Sequence, residues 1–237
     1  MKAYDGYLID LDGTMYKGTE KIEAAAEFAE KLAELGIPHL YVTNNSSKTP
    51  DQVAEHLRLF GIKAEPEKIF TTSMATANYL YEKNPEARVY VIGEEGITGA
   101  IIEKGFRITD QNPDTVVVGI DRSINYEKLA IACLAVRKGA QFISTNGDIA
   151  LPTERGLLPG NGAITSVISV STQTDPIFIG KPNSIIVEQA LDMLGTSKEK
   201  TLMVGDNYDT DIMAGIHSGI DTLLVHTGVT TKEMLSL

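Results

Sequence analysis

Residues 7–16 read YLIDLDGTMY: an apolar run, Tyr7-Leu8-Ile9, leads into two aspartates one residue apart, then Gly13 and Thr14. A short apolar run that stops at Asp-Gly reads as a buried strand ending in a turn. In an extended chain the side chains at i and i+2 point to the same side, which would set Asp10 and Asp12 about 6 to 7 Å apart. Two like charges at that separation repel by about 2 to 3 kcal/mol at an effective dielectric of about 20. The repulsion is relieved by a raised pKa on one carboxyl or by a nearby cation, and both arrangements are typical of working sites. A plain turn is the alternative, since Asp-Gly is a common turn pair. It accounts for Asp12-Gly13 but leaves Asp10, directly after the apolar run, unexplained.

Similar short apolar runs recur along the chain at 39–43 (HLYVT), 88–92 (RVYVI), 115–119 (TVVVG), 141–145 (QFIST), 176–179 (PIFI), 201–204 (TLMV) and 222–226 (TLLVH). With 7–10, they are apolar on both faces, as parallel strands covered by helices should be. Helical patterns lie between them. Residues 22–35 carry an apolar stripe of Ile22, Ala25, Ala26, Ala29, Leu32 and Leu35, closed by Gly36. Residues 50–60 follow Thr49 as a cap, with Pro50 at the first helical position and Gln52 completing a capping box, and Gly61 ends them. Helices over 125–138 and 183–194 stop at Gly139 and Gly195. The alternation predicts an α/β fold with a largely parallel sheet. Composition shows no repeat, low-complexity segment or linker that would place a domain boundary.

In open α/β sheets, ligands gather beyond the carboxyl ends of the strands. After 7–10 comes DLDGT; after 39–43, TNNSS with Thr43 and Asn44; after 176–179, GKPN with Lys181; after 201–204, GDNYDTD with Asp206, Asp209 and Asp211. Each has an ordinary reading alone: an Asx turn, a solvated lysine, an acidic helix cap. Together they bring carboxylates, a hydroxyl, an amide and one lysine to strand ends. Oxygen-only ligands suit Mg²⁺ rather than zinc or copper. A cation beside a lysine and a threonine hydroxyl cradles a phosphoryl group, whose transfer needs mainly positioning and charge neutralisation.

Bulk properties exclude several rivals. The chain has 237 residues, 43% of them hydrophobic, enough for one large domain or two modest ones. A net charge of −11 argues against nucleic acid or an anionic membrane as the main partner. The single cysteine, Cys133, makes neither a disulfide framework nor a zinc cluster. The N-terminus has no basic-then-apolar signal pattern, and no apolar stretch reaches the length of a membrane span, so a cytoplasmic protein is expected. There is no GxxxxGK[ST], no GxGxxG and no EF-hand loop, and His39, His56, His217 and His226 lack ligand spacing.

DLDGT, TNN, GKP and GDNYDTD, in this order, resemble the four motifs of the haloacid dehalogenase-like (HAD) phosphatases. YVTNNSSKT and MVGDNYDTDIMAG look like the NagD / p-nitrophenylphosphatase-like branch, and the resemblance covers essentially the whole chain. It implies a Rossmann-like, doubly wound parallel-sheet core of residues 1–77 and 178–237, with a large α/β cap inserted at 78–177. It also implies Mg²⁺ dependence and an aspartyl-phosphate intermediate. Carried over by motif, Asp10 is the nucleophile and Asp12 the general acid, then base. Asp10 and Asp206 bind Mg²⁺ by side chain and Asp12 by its backbone carbonyl. Thr43, Asn44 and Lys181 hold phosphoryl oxygens, and Asp211 orders the metal's water shell or Lys181. Asp12 separates phosphate chemistry from dehalogenation, which needs no leaving-group proton.

The cap is expected to choose the substrate. Its candidate segment is 145–163, TNGDIALPTERGLLPGNGA, where Asn146 and Asp148 meet sugar hydroxyls and Arg155 pairs a carboxylate. An ordinary loop with a surface arginine is the alternative. The expected partner is a small phosphorylated metabolite: a sugar or acid-sugar phosphate, or a nucleoside monophosphate. Neither nucleic acid nor membrane is expected, and a homo-oligomer through the cap is left open. A phosphomutase or phosphotransferase is the rival enzyme, and a phospho-aspartate signalling module the rival from another class. The sequence ends with TGVTTKEMLSL, residues 227–237, so the last core helix is expected to be missing or truncated relative to the family.

Overall fold

The structure, a computed structural model, describes residues 3–153 and 155–236. Along the chain, β1 (Gly6–Ile9) is followed by the small antiparallel pair β2 (Tyr16–Lys17) and β3 (Glu20–Lys21), then α1 (Glu23–Glu34), β4 (His39–Thr43), α2 (Pro50–Leu59), β5 (Ile69–Thr71) and α3 (Thr72–Lys83). Next come β6 (Arg88–Ile92), α4 (Glu95–Glu103), β7 (Arg107–Ile108), β8 (Thr115–Val118), α5 (Tyr126–Arg137) and β9 (Gln141–Ser144). The antiparallel pair β10 (Ala150–Thr153) and β11 (Gly156–Pro159) follows, then α6 (Asn161–Thr172) and β12 (Ile177–Phe178). Last are α7 (Ser184–Leu194), β13 (Thr201–Gly205), a π-helical turn at Tyr208–Ile212, α8 (Met213–Ser218), β14 (Asp221–Leu224) and a 3-10 turn at Glu233–Ser236.

Every strand and helix expected from the sequence is present, with ends shifted by two residues at most. The helix stops follow the glycines. Gly36 takes φ +66°, and its N–H and that of Ile37 donate to Ala33 and Leu32 at 3.1 and 2.9 Å. These two bonds satisfy the last carbonyls of α1 in a Schellman arrangement.

Two compact units result, one of Met1–Thr43, Pro50–Phe70 and Lys181–Leu237, the other of Asn44–Thr49 and Thr71–Gly180. In the first, the sheet order is β14-β13-β1-β4-β5, with β1 parallel to both β13 and β4. Strands β4 and β5 lie to one side of β1 and the later β13 and β14 to the other, so the winding reverses between β1 and β13. Ile9, Leu11, Tyr41, Val53, Leu57 and Ile69 belong to its buried core.

The second unit has its own parallel sheet, ordered β12-β9-β8-β6-β7. Val116, Val118, Phe142 and Ile168 lie in its core. Residues 44–49, 71–77 and 178–180, expected in the core domain, cluster here, and their hydrogen bonds show why. The Ser47 and Ser46 carbonyls accept from Gly96 and Ile97 at 3.0 Å each, and Ser46 Oγ accepts from the Ile120 N–H at 3.1 Å. Thr72 Oγ1 donates to the Thr145 carbonyl at 2.5 Å, and Gly180 N–H to the same carbonyl at 2.8 Å. This sheet reverses between β8 and β6, and the Ser46–Lys48 backbone packs there so closely that a Cβ on Gly96 would overlap it.

Several elements escaped the sequence pattern, among them β5, β7, α3, α4 and α6, and two cases have a clear physical reason. Helix α3 buries Thr72, Ser73 and Thr76 together with Ala75, Ala77 and Leu80, so hydroxyls interrupt its apolar stripe; Thr76 Oγ1 donates to the Thr72 carbonyl and Ser73 Oγ to the Ser46 carbonyl. The segment 145–163, the candidate specificity segment for which no strand or helix was expected after residue 145, contains the β10–β11 pair and the start of α6. Pro152 and Pro159 hide that pair, because proline is at home on strands that lack a further neighbour.

Candidate active site

Strands β1 and β13 run side by side with Ile9 opposite Val204. Asp10 follows β1, its N–H donating to the Val204 carbonyl at 2.9 Å, and Asp206 follows β13. Both carboxylates therefore sit at the carboxyl ends of adjacent strands where the winding reverses, the place such a sheet binds ligands. Asp211 comes in from the π-helical turn, and oxygens of Asp10, Asp206 and Asp211 lie within 4.8 Å of one another. All three residues are buried.

Lys181 is the cation of this cluster. It is 2% exposed, and its Nζ lies 2.5 Å from Asp10 Oδ1, 2.7 Å from Asp211 Oδ1 and 3.0 Å from the Val42 carbonyl. The other Asp211 oxygen accepts from the Asn207 N–H at 3.1 Å, and a Cβ on Gly205 would overlap this carboxylate. Thr14 Oγ1 stands 3.2 Å from both Asp10 Oδ2 and Asp206 Oδ1, so its one hydrogen serves either carboxylate. Thr43, also buried, ends β4, next to β1.

Burial is the first cause that raises the Asp10 pKa well above the usual carboxylate range, and Asp211 and Asp206 add to it against the opposing Lys181. Burial and Asp211 likewise raise Asp206, against the Val229 N–H, Thr14 and Lys181. Burial pulls Lys181 down, but Asp10 and Asp211 more than offset it, so the ammonium is held charged. Three carboxylates facing one ammonium leave two excess negative charges when all are ionised. A hard divalent cation balances that excess, and oxygen-only donors suit it.

Asp12 does not share the environment of Asp10. The chain turns at once, with the Met15 N–H donating to the Leu11 carbonyl at 2.8 Å, and Asp12 is exposed. The like-charge problem posed by the sequence thus falls on Asp10, Asp206 and Asp211 instead. Gly13 permits the turn at φ +87°, and a Cβ there would overlap the Asp206 carboxylate. Burial, then Asp12, with which it shares a hydrogen bond, push the Tyr16 phenol far above its usual range.

The remaining candidates lie in the second unit. Asn44 Nδ2 reaches the Asp148 carboxylate at 3.3 and 3.4 Å, and Asn146 Nδ2 donates to the Asn44 carbonyl at 2.8 Å. Asn161, 1% exposed, holds this corner by donating to the Asn146 carbonyl, Ser144 Oγ and Thr145 Oγ1 at 2.9, 3.0 and 3.1 Å. Arg155 is exposed in the turn between β10 and β11.

Thr14, Tyr16, Asn161 and the segment 227–230 were given no site role of their own in the sequence. Thr14 carried a signal, since it stands in the DLDGT motif itself. Segment 227–230 lies beyond the carboxyl end of the last strand, β14, the same kind of position that marks Asp10 and Asp206.

The haloacid dehalogenase-like hydrolase family matches residues 7–107, and the HAD-hydrolase-like family matches residues 178–237. The chain belongs to the haloacid dehalogenase-like hydrolases, in their NagD-like branch, and is a phosphoric monoester hydrolase by class. It is 65% identical over 236 residues to 5'-nucleotidase YutF of Bacillus subtilis, covering all of this chain and 92% of that one. It is 58% identical over 234 residues to an acid sugar phosphatase of Staphylococcus epidermidis, covering 98% of this chain and 90% of the relative. Among solved structures, Bs-TpNPPase superposes with TM-score 0.94 at 62% identity, covering 98% and 93% of the two chains. NagD from E. coli K-12 does so with TM-score 0.93 at 34% identity, covering 98% and 91%. Among the described residues, no helix is long and apolar enough to cross a membrane.

Proposed function

We propose that this protein is a Mg²⁺-dependent phosphatase that hydrolyses small phosphomonoesters through a phosphorylated Asp10. The observation that carries the reading is the convergence of Asp10, Asp206, Asp211 and Lys181 in one buried cluster at the ends of β1 and β13. Asp10 and Asp206, with the Asp12 carbonyl, would hold the ion. Bound there, Mg²⁺ neutralises phosphoryl charge and favours ionised Asp10.

The protein's own groups then act in two steps. An Asp10 oxygen attacks phosphorus as the bond to the leaving oxygen breaks, and the Asp12 carboxyl gives that oxygen its proton. Asp12, now ionised, takes a proton from a water that attacks the phosphorus, releasing inorganic phosphate and the Asp10 carboxylate. The exposure of Asp12 fits a group that trades protons with solvent between the steps. Thr43 and Lys181 hold phosphoryl oxygens, and Asp211 keeps Lys181 in place.

The second unit is read as the cap, with Asn146, Asp148 and Arg155 as specificity candidates. The names of the relatives favour nucleoside monophosphates and acid-sugar phosphates as substrates, and the cytoplasm is the compartment that fits such metabolites. Incubation with p-nitrophenyl phosphate and Mg²⁺ should release many equivalents of phosphate and stop on chelation with EDTA. One equivalent would indicate a signalling module. Turnover dependent on a sugar acceptor would indicate a transferase.

A further inference from the structure

Segment 227–230 (Thr-Gly-Val-Thr), between β14 and the terminal 3-10 turn, has no part in the chemistry above, yet it closes over one carboxylate of the cluster. The Val229 N–H donates to Asp206 Oδ2 at 2.6 Å, and the Thr230 N–H donates to the Asp206 carbonyl at 3.0 Å. Thr227 Oγ1 donates to the Gly13 carbonyl at 2.6 Å, tying the segment to the turn after β1. Thr230 Oγ1 accepts from the Tyr208 N–H at 2.8 Å, tying its other end to the π-helical turn. Between these ties lies Gly228, where a Cβ would overlap Asp206 Oδ2 and press on Gly13 Cα. The two oxygens of Asp206 are thereby distinguished: Oδ2 is taken by the backbone, and Oδ1 is turned toward Thr14 and the Asp10 carboxylate.

We propose that residues 227–230 form a backbone clamp that fixes which Asp206 oxygen faces Asp10, and that Gly228 is a positioning residue for the divalent cation. The inference rests on the reading of Asp10 and Asp206 as the ion's ligands. Groups that orient a metal-binding carboxylate govern affinity much as ligands do, and here the orienting group is a main-chain N–H that only a residue without a side chain lets approach.

The test is calorimetric titration of chelator-stripped protein with Mg²⁺, comparing wild type, Gly228→Ala and Thr227→Val. In folded Gly228→Ala, judged by circular dichroism, the dissociation constant should rise about 10-fold or more. Thr227→Val removes only the tie to Gly13 and adds no bulk at the carboxylate; its constant should rise by roughly 3-fold or more, a fraction of the full orienting effect. For both, the Mg²⁺ concentration giving half-maximal activity should move with the constant. A folded Gly228→Ala that binds Mg²⁺ as wild type does overturns the clamp; if that variant fails to fold, wild-type affinity in Thr227→Val overturns it. Absence of Mg²⁺ binding by wild type itself would instead sink the metal reading beneath it.

Discussion

Lys181 shows what a single residue contributes here. Its ammonium lies between Asp10 and Asp211 in a cluster closed to solvent, so removing it leaves like charges facing each other without a cation. Lys181→Met should lower the stability of the metal-free protein by about 3–5 kcal/mol, measured by urea unfolding with chelator present; a loss within roughly 0.5 kcal/mol, as for an ordinary surface change, would mean the ammonium does not hold the cluster together. His39 gives a pH prediction away from the site. Burial foremost, then the charge of Lys68, hold its pKa below the usual value, against the Ile37 carbonyl. The folded state therefore binds fewer protons than the unfolded one. Stability is full above about pH 6.5 and is lost as pH falls through it toward the depressed folded value. In His39→Gln, the decline in Tm between about pH 7 and about pH 5 should be shallower than in wild type; identical declines would show that His39 titrates normally. Charged site residues were legible in the sequence because a carboxylate or ammonium after an apolar run is conspicuous. Val229 was not, because it acts through its main-chain N–H, which every residue but proline carries.

At the scale of elements, the legible parts were the continuous apolar runs and the apolar stripes that stop at glycine: α1, α2, α5, α7 and the strands of both sheets except the short edge strands β5 and β7. Helix α3 was illegible because hydroxyls bonded to backbone carbonyls share its buried face with Ala75, Ala77 and Leu80 and break the apolar stripe. The corner joining β9, β10 and α6 was illegible for a related reason. Its order comes from Asn161, a residue type that usually marks a loop, whose amide binds three acceptors on residues 144–146. Asn161→Ala removes the donor that these buried acceptors share, leaving the Asn146 carbonyl its bond from Ser144 Oγ and Ser144 Oγ its bond with Thr165, and a loss of about 1–3 kcal/mol is expected. Hydrogen exchange at Asn146 and Asp148 should accelerate with it; unchanged exchange there would show that the corner is held by packing alone.

For the whole molecule, one topological rule organised both the fold and the site. Parallel strands release their ligand-binding residues at carboxyl ends, beside the strand where winding reverses, and Asp10 and Asp206 stand on the two strands that flank that reversal. Composition could not mark the two units, because each alternates strands and helices and the chain passes between them at Thr43–Asn44, Thr49–Pro50, Phe70–Thr71 and Gly180–Lys181 without a linker. The central claim is that Asp10 forms the covalent intermediate. Steady-state phosphate release by folded Asp10→Asn, at saturating p-nitrophenyl phosphate and Mg²⁺, tests it most directly. The account predicts turnover reduced by about 10⁴-fold or more, with circular dichroism unchanged. Turnover within about 10-fold of wild type, less than the loss of a general acid or base alone, would contradict it.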